Sequence, residues 1–183
     1  MVARQIISAL NSNLSKRPFF TNLAMGASLG ASGDLVAQIA LENKNFQTFD
    51  WIRFATMSSF NGLYPSIVSV RVFALYPRII PTAFKSTRLR EGLSSALIDC
   101  CLHSPLLYLP AFYIYSGFSR GESAVKSLLH YKDQFADCME ALLAVWVPAQ
   151  TLNFSVIPPK QRVIFVGVVN LGWNSYIDYK NHH

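Results

Sequence analysis

Charge is almost absent over five stretches of this chain, and that scarcity constrains the fold more than any single motif. Ala141 to Pro159 is nineteen residues without Lys, Arg, Asp or Glu. The twenty-four residues between Arg17 and Glu42 carry one charge, Asp34, and Arg53 and Arg71 bracket seventeen with none. Cys100 to Ser119 adds twenty, with His103 its one titratable group besides tyrosine and cysteine, and Val163 to Ile177 adds fifteen. A hydrocarbon core of about 30 Å takes about 20 helical residues, so most of these stretches approach spanning length. Charged residues make up 14% of the chain, against about 25% in soluble domains. Soluble surfaces need ionised groups, whereas lipid-facing surfaces reject them. The competing reading is a soluble all-α domain of buried helices, for which apolar runs of about 10–14 residues suffice. The pattern favours the bilayer.

The expected architecture is therefore an all-α, polytopic membrane helix bundle, with residues 1–183 forming a single membrane domain. A basic N-terminal segment, 1–17, precedes spans at about 18–41, 52–80, 92–117 and 140–158. A C-terminal helix at about 162–177 is either a short fifth span or lies against the bundle. The connection at 118–138 is polar and partly helical. Residues 1–33 contain no acid, and Ile6, Ile7, Leu10 and Leu14 recur at helical spacing among Arg4, Lys16 and Arg17. That pattern fits a mitochondrial-type amphipathic start or a short interfacial helix, and no cleavable signal peptide is expected. Lys and Arg are denser at the N-terminus and in the 78–90 connection than on the opposite side, which makes the N-terminal side the positive one.

Several chemistries find no support. Cys100, Cys101 and Cys138 lack zinc or disulfide spacing. The basic residues are scattered between apolar runs rather than gathered on a nucleic-acid face, so no nucleic acid is expected despite a pI near 9.4. No cofactor or metal motif appears, and Asp99 with His103 is a thin basis for an enzyme without a nucleophile. The expected partners are the lipid bilayer, small metabolites or ions, and other copies of the chain.

Polar residues recur on the apolar helices at helical spacing. Gly26, Gly30, Asp34 and Gln38 are spaced by fours and share one slowly drifting face. The two glycines form a GxxxG seam that lets helices approach closely, and Asp34 beside it should face protein or water. The structural reading is a packing seam with a paired acid; the functional one is the wall of a polar path. Ser95, Asp99 and His103 repeat the spacing, as a relay or as a seam pairing with Arg53 or Arg71. All four charges should point inward. Pro65, Pro77, Pro105, Pro110, Pro148 and Pro158 should bend or end helices.

The C-terminal part carries a more specific pattern. Trp146, Pro148, Gln150, Asn153, Phe154, Pro158 and Arg162 are followed by Trp173, Asn174 and Tyr176. Leu14, Pro18, Gly33, Asp34, Gln38, Asp50, Arg53, Asp99 and Pro105 extend the likeness over nearly the whole chain. It resembles the Mpv-seventeen family, which includes the twenty-two-kilodalton peroxisomal membrane protein. The resemblance implies a four-span protein of the mitochondrial inner membrane, or alternatively of the peroxisomal membrane. It also implies a role in organelle homeostasis, mitochondrial DNA maintenance or channel-like passage of small metabolites or ions. A structural protein organising a membrane complex is the alternative. The chain departs from the family at Tyr64-Pro65, Val70-Arg71 and Cys100, positions expected in the interior of spans two and three. Gln150 and Asn153, three apart, should share a side and bond backbone freed by Pro148, while Trp146 and Trp173 fit interface anchors.

Overall fold

The computed structural model describes residue 10 and residues 12–181, with 174–181 described by backbone alone. Ile6, Ile7, Arg4 and the terminal His182-His183 pair lie outside these residues, as do the side chains of Asn174 and Tyr176. Every regular element among the described residues is helical. Helix α1 runs Pro18–Val36 and continues as a π-helical turn, Ala37–Leu41. Helix α2 comprises Trp51–Tyr64, a π-helical turn Pro65–Ser69, and Val70–Ile79. Helix α3 comprises Arg88–Ile98, a long π-helical segment Asp99–Tyr108, and Leu109–Ser119. Helices α4 (Ala124–Asp133), α5 (Phe135–Ser155) and α6 (Arg162–Asn181) complete the chain.

Local chemistry explains several boundaries. Pro18 occupies the first turn of α1, where its missing N–H costs nothing. Thr87 and Ser123 cap α3 and α4 by accepting the amides of Arg90 and Lys126. Gly121 adopts φ +74° in the tight turn between α3 and α4, a conformation that suits glycine. Of the prolines expected to bend or end helices, Pro158 lies just past the end of α5, and the other five fall within helical segments. Pro65 and Pro105 lie in π-helical segments, and α5 passes through Pro148 as α-helix. A widened turn moves the carbonyl that the proline ring would otherwise strike, so the helix continues with one bond fewer.

The chain divides into two compact units. The first contains α1, residues 57–71 of α2, and α6; the second contains residues 50–56 and 72–157. In the first, α1 packs closely against α2. A Cβ on Gly26 would collide with the Asn61 carbonyl, and one on Gly30 would lie 2.6 Å from that of Met57. Ser58 donates to the Ala27 carbonyl at 3.1 Å across the same contact, and Gly167 of α6 receives Leu29. In the second unit the first half of α3 packs along α5, where Gly92 faces Ser155 and Thr151. Its last half meets α4, where Gly117 faces Ser127.

Burial is inverted relative to a water-soluble fold. Asn22, Asp34, Gln38, Asn61, Asp99, His103, Gln150, Asn153 and Asn170 are buried. Leu102, Leu107 and Leu152 are exposed, and Leu106 and Val156 expose 67% and 69% of their surface. Apolar side chains outside and polar ones inside are what a hydrocarbon solvent selects. By length and composition, one helix among the described residues, Arg88–Ser119, is long and apolar enough to cross a membrane. Only 28% of its most apolar window is buried.

Candidate functional site

Each unit holds a buried carboxylate, and the fuller polar cluster surrounds Asp99. This residue is 3% exposed and opens the π-helical segment of α3. Its Oδ1 accepts the Tyr76 hydroxyl from α2 at 2.6 Å, and His103 Nδ1 lies 2.8 Å from the same oxygen. Its Oδ2 accepts Gln150 Nε2 from α5 at 2.6 Å. Gln150 Oε1 in turn accepts Asn153 Nδ2 at 2.7 Å. Rings of Phe73, Tyr76 and Phe154 wall the cluster, with Phe154 centroids 5.1 Å from Phe73 and 5.3 Å from Tyr76. Phe73 also meets His103 edge-on. Behind it, Tyr131 of α4 donates to the Pro105 carbonyl at 2.8 Å, satisfying backbone within the π segment.

The donor and acceptor inventory makes this cluster directional. An ionised carboxylate only accepts, so Gln150 must turn its NH₂ toward Asp99 and His103 must carry its hydrogen on Nδ1. Gln150 then offers its oxygen to Asn153, which must answer with its own NH₂. Asn153 Oδ1 is thereby turned away from the carboxylate, and it is buried without a hydrogen-bond partner among the described residues. The charge at position 99 thus sets which end of Asn153, two amides away, faces outward from the cluster. A buried carboxylate held by three neutral or imidazole donors is a polar hub that ties α2, α3 and α5 together.

In the first unit Gln38 donates to Asp34 Oδ2 at 2.7 Å along its own helix. Gly26 and Gly30 line the close approach to α2, as the spacing predicts. Asn61 donates to the Met57 carbonyl at 2.8 Å and receives Asn170 of α6 at 3.4 Å.

Three expectations are corrected. Arg71 is exposed and donates to the Ile67 carbonyl of its own helix, so it does not point inward. Arg53 is half-buried, its backbone amide bonded to Asp50. Asp99 takes Tyr76, His103 and Gln150 where the sequence predicts Arg53 or Arg71. Hydroxyl and amide donors serve here because a buried guanidinium carries a desolvation cost that a short neutral donor avoids. Gln150 and Asn153 bond Asp99 and each other rather than backbone freed by Pro148. Of the departures noted in the sequence, Val70 and Arg71 are exposed, whereas Pro65 and Cys100 are buried, Cys100 next to Asp99.

The remaining signature residues have varied surroundings. Trp146, Arg162 and Trp173 are half-buried, Pro148 and Pro158 exposed, and Phe154 buried. Tyr76, Phe73, Tyr131 and Asn61 are the participants that sequence reasoning missed. Phe73, Tyr76 and, just past the helix end, Ile80 are buried at steps of three and four, a spacing that continues one face of α2.

The described residues thus form an all-α protein with exposed apolar faces and buried polar hubs, and one of its helices is long and apolar enough to cross a membrane. A sequence profile of the Mpv17 / PMP22 family matches residues 117–178, a stretch that includes the whole Trp146-to-Asn174 signature. Among similar proteins, Protein SYM1 of Gibberella zeae is 28% identical over 93% of this chain and 94% of its own. Protein SYM1 of Saccharomyces cerevisiae is 27% identical over 97% of this chain and 90% of its own. The Mitochondrial inner membrane protein Mpv17 of Danio rerio is 24% identical over 91% and 92%. No solved structure matches. The chain is thus similar over nearly its whole length to SYM1 and Mpv17 proteins, one of them named for the mitochondrial inner membrane, and its residues 117–178 match the Mpv17 / PMP22 family.

Proposed function

We propose that the chain is a four-span channel or carrier for small metabolites or ions that contributes to mitochondrial homeostasis. The observation that carries this reading is the buried hub around Asp99, set in a helix whose other faces are apolar and exposed. Polar and ionised groups inside a membrane bundle are expensive and mark solute or ion pathways. The π-helical segment that presents Asp99, His103 and Ser104 is the kind of irregularity found at functional sites. The reading assigns no catalysis to the chain and takes lipid, small solutes or ions, and further copies of the chain as its partners. The purified full chain in a planar bilayer is expected to conduct, and Asp99→Asn to shift its cation–anion selectivity. Silence across voltage, pH and redox conditions contradicts the reading.

One observation favours a second reading. Both oxygens of Asp99 are occupied by side chains from α2, α3 and α5, as in a structural clamp. If Asp99→Asn lowers the unfolding midpoint but leaves conductance unchanged, the hub is a clamp within an organising protein.

A further inference from the structure

The two turns that flank α3 treat their cations differently. In the turn toward α4, Glu122 pairs with Arg120 at 3.2 Å and Lys126 at 3.1 Å. Where α2 leads into α3, residues 78–90 carry Arg78, Lys85, Arg88 and Arg90, and the nearest acid in the sequence is Glu91. None of these four cations forms an ion pair among the described residues. Arg90 donates to the Ser86 hydroxyl at 3.2 Å. Exposed Ile79, Phe84 and Leu89 are interleaved with the cations. One and two turns beyond Leu89, Leu93 and Leu97 continue the exposed apolar face of the membrane-length helix.

Cations at the mouth of an apolar helix lie at headgroup level, and the apolar residues between them suit the acyl boundary. Four unneutralised charges on the adjoining ends of α2 and α3 and the connection between them match a headgroup with more than one phosphate, because one phosphate would leave most of them unpaired. We propose that the α2–α3 turn is a headgroup site for an acidic diphosphatidyl phospholipid. Arg78, Lys85, Arg88 and Arg90 take its phosphates, and Phe84 and Leu89 seat it against the acyl layer.

The test uses the delipidated full chain in neutral detergent, with cardiolipin, phosphatidylcholine or inorganic phosphate added back. Retained lipid is counted by native mass spectrometry, and affinity is followed by the unfolding midpoint. Wild type is expected to retain cardiolipin in preference to phosphatidylcholine, with binding weakened by salt. Each charge removed by Arg→Gln or Lys→Gln at the four positions should weaken cardiolipin binding about fivefold. Lys126→Gln with Lys132→Gln should leave it unchanged. Should the fourfold variant not fold, Arg88→Gln with Arg90→Gln carries the same expectation on two exposed positions. Equal retention of both lipids, undiminished binding in these variants, or full reproduction by inorganic phosphate alone overturns the proposal. None of these outcomes depends on whether the chain conducts.

Discussion

Asp34 and Asp99 each have a polar partner four residues further along the same helix, yet the two units use their acids differently. In the first unit the helices are brought together by missing volume, since Gly26 and Gly30 admit the backbone of α2 to within contact. Asp34 is held along the helix by Gln38. In the second unit the carboxylate itself joins the helices, with Tyr76 and Gln150 reaching it from α2 and α5. One local spacing thus serves a packing seam in one case and a polar hub in the other. Added volume should disrupt the first unit, and lost polarity the second.

The largest effect is expected from Asp99→Ala, which leaves the Tyr76 hydroxyl, the Gln150 amide and His103 without their shared acceptor. A loss of about 3–5 kcal/mol is expected, read from unfolding of the reconstituted chain. Asp99→Asn should cost less, and its oxygen should remain with Tyr76 and His103 while its NH₂ turns toward Gln150. Both amides then reverse, and Asn153 presents its NH₂ outward. Side-chain amide signals of Gln150 and Asn153 that stay unchanged in this variant would show that the relay is not coupled.

Next in size are Gly26→Ala and Gly30→Ala. The nearest obstacle to each methyl is a backbone carbonyl, with the Asn61 side chain also close to that on Gly30, so the helices must separate at a cost of about 1–3 kcal/mol. Equal stability of Gly26→Ala and wild type would remove the contrast between the units. Tyr131→Phe removes one buried bond to the Pro105 carbonyl and should cost about 1 kcal/mol, measured in the same way.

The smallest effect concerns Glu122 in the turn between α3 and α4. Hydrogen bonds from Lys126 and then Arg120 hold its carboxyl below the ordinary value of 4.5. A depressed acid stabilises the folded state fully above its unfolded pKa and loses that contribution as pH falls through the folded value. The effect therefore lies below about pH 4.5. It should shrink in salt, because the pair is at the surface, and vanish in Glu122→Gln when midpoints are compared across pH.

The helices were legible because lipid-suited helices advertise themselves through missing charge. The structure places helices at 18–41, 51–79, 88–119, 135–155 and 162–181, over the stretches that the charge deserts mark. Same-helix pairs were equally legible, since Asp34 with Gln38 and Asp99 with His103 follow from a turn of 3.6 residues. Partners from other helices were not. Nothing local to Asp99 names Tyr76 or Gln150, which are 23 and 51 positions away. The expectation of an arginine partner rested on balancing charge, and the hub instead satisfies its carboxylate with hydroxyl, amide and imidazole donors. The prolines marked helix ends or irregularities in the sequence without telling which: Pro158 follows the end of α5, whereas a π-helical turn absorbs the missing donor at Pro65 and Pro105.

The inverted burial is tested most directly by nitroxide labels at Leu106 and Leu102, both exposed on α3, in the full chain reconstituted into lipid. Both labels are expected to relax strongly with dissolved oxygen and weakly with a water-soluble nickel chelate, as a hydrocarbon neighbourhood requires. Relaxation dominated by the nickel chelate at either position would place that face in water and contradict the account.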